Sequence, residues 1–359
     1  MNTNDIRAIR LHNHLLATHK LTMPKDVVSW MGAMQAQAYP MAKWAIGLRL
    51  PGSTGGMIEQ AINEGDIIRT HILRPTWHFV SSDDIHWMLE LTAPRIKAIM
   101  LNYNKSTGDD EAWLNRMLSL VEKILTKESH LTRQEIGERL KAEGRGTGTD
   151  NRRLSHIMSW AELEGVVCNG KVRGSKQTYC LLQEKAPKTY SLTKEEALER
   201  LARKYFSSHG PATLKDFVWW SGLLMSGARK GIELIKHDFT GETIGAETYW
   251  FRNDIELPPE DTAPSALLLP AFDEYLVGYR DRRDILKEEY TRTVITKTGI
   301  FSPILTLDGE IIGTWKNKKT DTEHSFFQKE KKDVRALFKP HAGMYKAYRQ
   351  SNGLPENFQ

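Results

Sequence analysis

LTRQEIGERLKAEGRGTGTDNRRLSHIMSWAELEGVVCNGKVRGSKQTYCLL, residues 131–182, is the stretch from which the fold can be read. Thr132 followed three residues later by Glu135 is the sequence form of a capping box and opens a helix. Ile136 and Leu140, four apart, share one face of it. The run Gly144-Arg145-Gly146-Thr147-Gly148-Thr149 is a turn that no helix tolerates. A second helix is expected from about Asn151 to Glu164, with Leu154, Ile157, Met158, Ala161 and Leu163 as its apolar stripe and Gly165 as its stop. Val166-Val167-Cys168 then alternates into Asn169-Gly170, and Lys171 to Leu182 reads as the returning strand. Helix, turn, helix and a basic hairpin make up a winged helix-turn-helix. Arg152 and Arg153 fall in the first turn of its second helix, the position that reaches bases or flanking phosphates in a major groove. Lys171, Arg173 and Lys176 give the hairpin charge suited to phosphates. The same charges also suit a solvated face, and modules of this kind bind proteins as well as DNA.

The plan recurs on both sides. Residues 191–250 start at an N-cap, Ser191 or Thr193, with a long helix through Leu198, Leu201, Tyr205 and Phe206. His209-Gly210-Pro211 breaks it; short helices follow at Leu214–Trp220 and Met225–His237, then strand-like residues near 247–252. Towards the N-terminus, helices are expected at Ile6–Thr18, Pro24–Gln37 and Met57–Glu64, ending in Asp66–Thr70 and a strand, Thr76–Val80. From about Ala266 the texture changes to strands, and Asp308-Gly309 between two apolar runs is a strong hairpin signal. Lys316, Lys318 and Lys319 extend beyond that hairpin as a second basic protrusion, and Glu330 to Tyr348 reads as a charged terminal helix. The expected fold is therefore α+β: tandem winged helix-turn-helix units followed by a small C-terminal β-barrel. The expected segments are unit one at 1–110, unit two at 111–188, unit three at 189–262, and the barrel with its helix at 263–359.

Composition narrows the class. The 359 residues carry 50 Lys and Arg against 45 Asp and Glu, a net charge of +5, which permits a polyanionic partner without demanding one. No run approaches the about eighteen apolar residues of a membrane-spanning helix, and the polar start of the chain lacks a secretory h-region. The expectation is a cytoplasmic protein with no membrane association. Cys168 and Cys180, without a Cys/His cluster around them, read as unpaired structural thiols.

The sequence contains no Walker loop, GxGxxG, GxSxG, HExxH or paired CxxC. His71 and His78 lie seven apart with no third metal ligand nearby, and Asp83-Asp84 reads as a helix N-terminus. What stands out is Gln35-Ala36-Gln37, just before Tyr39-Pro40 and read here as the end of the Pro24–Gln37 helix. A polar helix end would explain it equally well.

Together with Leu73-Arg74-Pro75-Thr76-Trp77-His78-Phe79-Val80 and Leu269-Pro270-Ala271-Phe272-Asp273-Glu274-Tyr275-Leu276-Val277-Gly278-Tyr279, however, this tripeptide resembles the AlkZ/YcaQ-like winged-helix family of bacterial DNA glycosylases. The resemblance implies cleavage of alkylated bases from DNA, interstrand crosslinks included, with glutamine, one intervening residue, then glutamine or aspartate as the catalytic signature. On that basis Gln35 and Gln37 are the expected catalytic residues, with the small Ala36 where the family favours a larger apolar residue. An N7-alkylated purine already carries positive charge and leaves as a neutral base, so no general acid is needed. Glutamine has no useful pKa, but its carbonyl accepts a hydrogen bond from water and its dipole favours developing positive charge. Tyr39, Arg69, Arg74 and Trp77 are the expected site lining, the two arginines also as DNA contacts. Trp77 and Phe79 alternate as a core-facing strand would, and Asp273, Glu274 and Arg282 suit an internal salt-bridge group. The expected partner is double-stranded, damaged DNA, bound by a monomer without a metal or other cofactor. A non-enzymatic DNA-binding protein such as a transcription regulator, and a protein-binding scaffold, stay open beside this reading.

Overall fold

The computed structural model describes residues 1–18, 20–104, 109–143, 151–255, 265–318, 321–329 and 332–350. The first helix, α1 (Thr3–Asn13), is capped by Asn2 with Asp5 closing a capping box. The second, α2 (Pro24–Met31), stops at Gly32, whose φ of +76° suits glycine and few other residues. The expected helix through Gln37 is therefore wrong in its last two turns: Met34 and Gln35 form a short strand, β1. A helix missed in the sequence follows, α3 (Tyr39–Arg49). Tyr39-Pro40 begins it rather than breaking the chain, because a proline in the first turn removes an N–H that has no helical acceptor. Next come α4 (Gly55–Glu64), β2 (Ile67–Ile72), β3 (Arg74–Ser81) and α5 (Ile85–Asn104). The three strands form an antiparallel sheet in the order β1-β3-β2.

The segment that decided the sequence reading contains α6 (Glu111–Lys127), β4 (Leu131–Thr132), α7 (Arg133–Ala142), α8 (Asn151–Leu163), β5 (Val167–Asn169), β6 (Thr178–Leu181) and a single turn, α9 (Leu182–Lys185). Thr132 and Glu135 make both halves of the expected capping box, and Gly165 at φ +68° follows α8. The expected turn at Gly144–Thr149 lies outside the described residues. Ile136, Leu140, Leu154, Ile157, Met158 and Ala161 share one core. Cys168 and Cys180 face each other across β5 and β6, unbonded, with Sγ atoms 3.8 Å apart.

The third repetition runs α10 (Lys194–His209), β7 (Ala212–Thr213), α11 (Leu214–Ser221), α12 (Met225–Ile235), β8 (Phe239–Ile244) and β9 (Glu247–Arg252). Its sheet order, β7-β9-β8, repeats that of β4-β6-β5 and β1-β3-β2. Helices followed by a hairpin that takes up one short upstream strand thus occur three times. Gly222 (φ +68°) ends α11 and sits against the Leu73 turn (φ +62°) between β2 and β3; a Cβ there would run into the Leu73 carbonyl oxygen.

The last region holds β10 (Ala266–Leu269), α13 (Glu274–Val277), α14 (Thr291–Val294), β11 (Ile304–Leu307), β12 (Glu310–Asn317), β13 (Thr322–Phe326), α15 (Lys332–Leu337) and α16 (Lys339–Gln350). Its four strands lie in linear order, β10-β11-β12-β13, so among the described residues this is an open meander and not a closed barrel. The expected single terminal helix is two. Tyr345 and Tyr348 of α16 pack on Trp44 of α3, with ring centres 5.2 and 4.9 Å away. A core combining residues 11–79 with 266–348, and a second combining 33–96 with 163–279, join the first repetition to the meander and to the third. Trp44 and Trp220, each almost fully buried in one of these cores, illustrate the apolar driving force, at about 25 cal/mol per Å² removed from water. Arg49, with no exposed surface, clamps Asp273 through two hydrogen bonds of 2.8 Å.

Candidate active site

Gln35 is held from three sides. Its register places it opposite His78 on β3, and the following Ala36 N–H donates to the Trp77 carbonyl at 2.7 Å. The Gln35 N–H donates to Oε1 of Glu274 at 2.6 Å, and its side-chain Oε1 accepts from Arg74 Nη2 at 3.2 Å. Arg69 reaches the same tripeptide, donating from Nε and Nη2 to the Ala36 carbonyl at 3.1 and 3.0 Å. Gln35 and Ala36 are buried, whereas Gln37 is exposed. Ala36 has no exposed surface.

The expected lining residues assemble around this segment. The Arg69 guanidinium lies 4.5 Å from the Trp77 ring centre and 5.6 Å from that of Tyr39. Tyr39 donates to Glu59 at 3.0 Å, and Lys43 ion-pairs with the same carboxylate. Burial raises the Tyr39 hydroxyl pKa, with Glu59 adding to the effect. Burial also lowers Arg69, against the pull of Glu162. Trp77 Nε1 donates to Glu162 at 3.4 Å, and His71 Nδ1 meets the other oxygen of that carboxylate. His71 is thus engaged by Glu162, while His78 Nδ1 lies 3.0 Å from the Thr76 carbonyl. Among the described residues no three His, Cys, Asp or Glu side chains gather as a metal site.

Behind Gln35 lies a buried polar layer that sequence reasoning did not assemble. Glu274 Oε2 accepts from Trp220 Nε1 at 3.1 Å and lies 3.5 Å from His209 Nε2. His14 Nε2 contacts the Tyr279 hydroxyl at 2.8 Å, and its ring meets that of His209 edge-on with centres 4.7 Å apart. Burial pushes His14, His78 and His209 down, so all three are neutral near pH 7. The expected group of Asp273, Glu274 and Arg282 does not form: Asp273 takes Arg49, Glu274 takes Gln35, and Arg282 bonds to backbone carbonyls. Its one sequence signal was the adjacent pair of acids, Asp273-Glu274.

The other expected DNA contacts are scattered by comparison. Arg152 is exposed at the start of α8, but its neighbour Arg153 pairs with Asp109 at 2.6 Å and lies over Trp113. On the hairpin, Lys171 and Lys176 are exposed, whereas Arg173 pairs with Glu135 at 2.5 Å. That partner and the Thr132 cap hold the Glu135 carboxyl down to about 2, the cap contributing most. Lys316 is exposed on β12, Lys318 pairs with Glu323 at 3.2 Å, and Lys319 lies outside the described residues.

Comparison with known proteins gives a single direction. The profile of the family described as DNA glycosylase AlkZ-like matches residues 28–329. An interstrand DNA cross-link repair glycosylase of Streptomyces sahachiroi is 24% identical over 322 residues, 86% of each chain. The solved structure of the Streptomyces sahachiroi DNA glycosylase AlkZ superposes with a TM-score of 0.82 at 23% identity, covering 97% of both chains, which shows a shared fold.

Proposed function

The chain belongs to the AlkZ-like DNA glycosylase family, and from that premise we propose that it hydrolyses the N-glycosidic bond of N7-alkylated purines in duplex DNA and acts on interstrand crosslinks. The observation that carries this reading is the fixing of the Gln35-Ala36-Gln37 backbone by Glu274, Trp77 and Arg69, with Arg74 on the Gln35 carbonyl. A positioned amide is what the chemistry needs. The bond from the sugar C1′ to N9 breaks with its electron pair going to the cationic purine, which leaves neutral. Water adds to the oxocarbenium carbon and releases its proton to solvent. Gln35 keeps a second lone pair on Oε1 beside the one Arg74 uses, and Gln37 is open to solvent, so between them they orient that water. No step calls for a cofactor.

The three repetitions of helices plus hairpin are read as winged-helix units at 1–110, 111–188 and 189–262, with the meander and terminal helices at 263–359. Their exposed cations, Arg152, Lys171, Lys176 and Lys316, are the groups available to phosphates, while Arg69 supports the catalytic backbone from inside. The protein is read as a cytoplasmic monomer; no described helix is long and apolar enough to cross a membrane.

The test is release of N7-methylguanine from alkylated duplex DNA by the wild type, Gln35→Ala and Gln37→Ala. Each substitution is expected to lower release by about 10²- to 10³-fold with duplex affinity kept. Absence of release by the wild type from both methylated and crosslinked DNA would return the chain to a binding protein without chemistry.

A further inference from the structure

Arg74, which bonds to Gln35, and Arg282 approach the same tryptophan. Trp219, 40% exposed and anchored through Nε1 to the Val277 carbonyl at 2.9 Å, has Arg74 at 5.8 Å and Arg282 at 5.4 Å from its ring centre. Arg282 also lies 5.3 Å from the ring centre of Phe301. Arg282 Nε and Nη1 are spent on the Leu276 and Arg280 carbonyls, at 2.8 and 3.2 Å, but its buried Nη2 meets no acceptor among the described residues.

Among the described residues neither guanidinium makes an ion pair, because the nearby acids are committed elsewhere. Asp216 accepts from the N–H groups of Thr213, Arg280 and Asp281. Asp281 pairs with Arg283 at 2.5 Å, and Glu274 takes Gln35 and Trp220. Burial holds Arg282 down to about 10 against the pull of Asp216, with the Arg74 charge adding to the lowering, and burial lowers Arg74 against the pull of Glu274. Two partly desolvated cations against one ring, with Glu274 and Asp216 acting on them only from beyond ion-pair distance, are incompletely neutralised in the free protein, and an oxyanion reaching both would relieve that. A planar guanidinium fork is also the side-chain geometry that matches phosphate oxygens.

The reaction sharpens the point. Arg74 donates to the Gln35 carbonyl, so its positive charge stands next to the place where the sugar becomes cationic. Left unneutralised, that charge opposes the transition state. We propose that Arg74 and Arg282, presented on Trp219, form a subsite for a backbone phosphodiester of the DNA strand that carries the lesion, adjacent to the nucleotide whose base is removed. The proposal rests on the glycosylase reading and names the anion that completes its site. Inorganic phosphate offers the same tetrahedral oxyanion, so the test separates the two sources.

Duplex oligonucleotides carrying one N7-methylguanine would be made with a neutral methylphosphonate at single positions around the lesion, and Kd measured for the wild type, Arg282→Gln and Arg282→Lys. At one position next to the lesion, neutralisation should weaken the wild type about tenfold and leave Arg282→Gln unchanged, with Arg282→Lys in between. The slope of log Kd against log salt should fall by about one in Arg282→Gln. Equal losses for wild type and Arg282→Gln at every position would overturn the subsite. In parallel, melting of the free proteins is followed with inorganic phosphate. Stabilisation of the wild type alone, without the methylphosphonate coupling, would assign the arginines to a free anion and overturn the DNA contact. Circular dichroism of both variants checks that they fold. Base release by the wild type reports on the glycosylase reading separately, since the binding cycle needs no turnover.

Discussion

The N–H of Gln35 and the carboxylate of Glu274 meet at 2.6 Å across 239 residues of chain. Replacing Glu274 with Ala leaves two buried donors, the Gln35 N–H and Trp220 Nε1, without an acceptor, at a cost of about 2–4 kcal/mol. Glu274→Gln keeps an acceptor oxygen and should recover most of that. Denaturant midpoints for the two variants measure the difference. In turnover, Glu274→Ala should lower kcat for base release with little change in KM, because the glutamine loses its alignment while the exposed cations proposed to meet phosphates remain. Full kcat in Glu274→Ala would remove Glu274 from the positioning of Gln35.

Arg49 and Asp273 form a fully buried bidentate pair that ties α3 to the start of α13. Arg49→Met strands a buried carboxylate and should cost about 3–5 kcal/mol. The double variant Arg49→Met, Asp273→Asn should be less destabilised than the two singles summed. Thermal melts of the four proteins close the cycle, and simple additivity would deny the coupling.

Acid should weaken the fold through its buried histidines. His14, His78 and His209 all have folded pKa values below the ordinary 6.5 because burial opposes their charge. Below pH 6.5 the unfolded chain binds protons that the folded chain does not, so stability is fully present above that pH and lost as pH falls below it. Each histidine contributes a slope of up to about 1.4 kcal/mol per pH unit. Glu274 opposes this at His209, whereas Arg10 and Arg49 add to it at His14 and His209. Unfolding free energy measured from pH 7.5 to 5 should fall steeply below about 6.5, and His78→Asn should make the fall shallower.

Thr132 offers a smaller, local test. Its hydroxyl accepts from the Glu135 N–H at 3.2 Å at the head of α7. Thr132→Ala should cost about 1 kcal/mol and Thr132→Ser, which keeps a hydroxyl to accept from the Glu135 N–H and donate to its carboxylate, almost nothing, as read from denaturant midpoints.

What could be read from sequence was local. The Thr132–Glu135 box, the α8 stripe, Gly165 and the Asp308-Gly309 turn all act within a few residues, and the structure has each where expected. The end of α2 was misjudged because Val27, Val28, Met31 and Met34 continue a helical period; what overrides it is Gly32 and a pairing partner, β3, far along the chain. The terminal helix splits near Lys339-Pro340 because proline is accepted in a first turn and not in a helix interior. At the site, the glutamines and their aromatic and arginine neighbours were legible as residue types. That Arg69 would turn inward to Ala36 and Glu274 would arrive behind Gln35 was not, since both follow from packing between distant segments.

The nesting of Gly222 against Leu73 has a further consequence. Any other residue at 222 drives at least a Cβ against the carbonyl that immediately precedes Arg74. The reach of that guanidinium is therefore gauged at a seam where backbone meets backbone, with no side chain to yield. On the proposed role of Arg74, alignment of the chemistry is inherited from how closely two turns approach, and a change too small to touch any reacting group would still put it out of true.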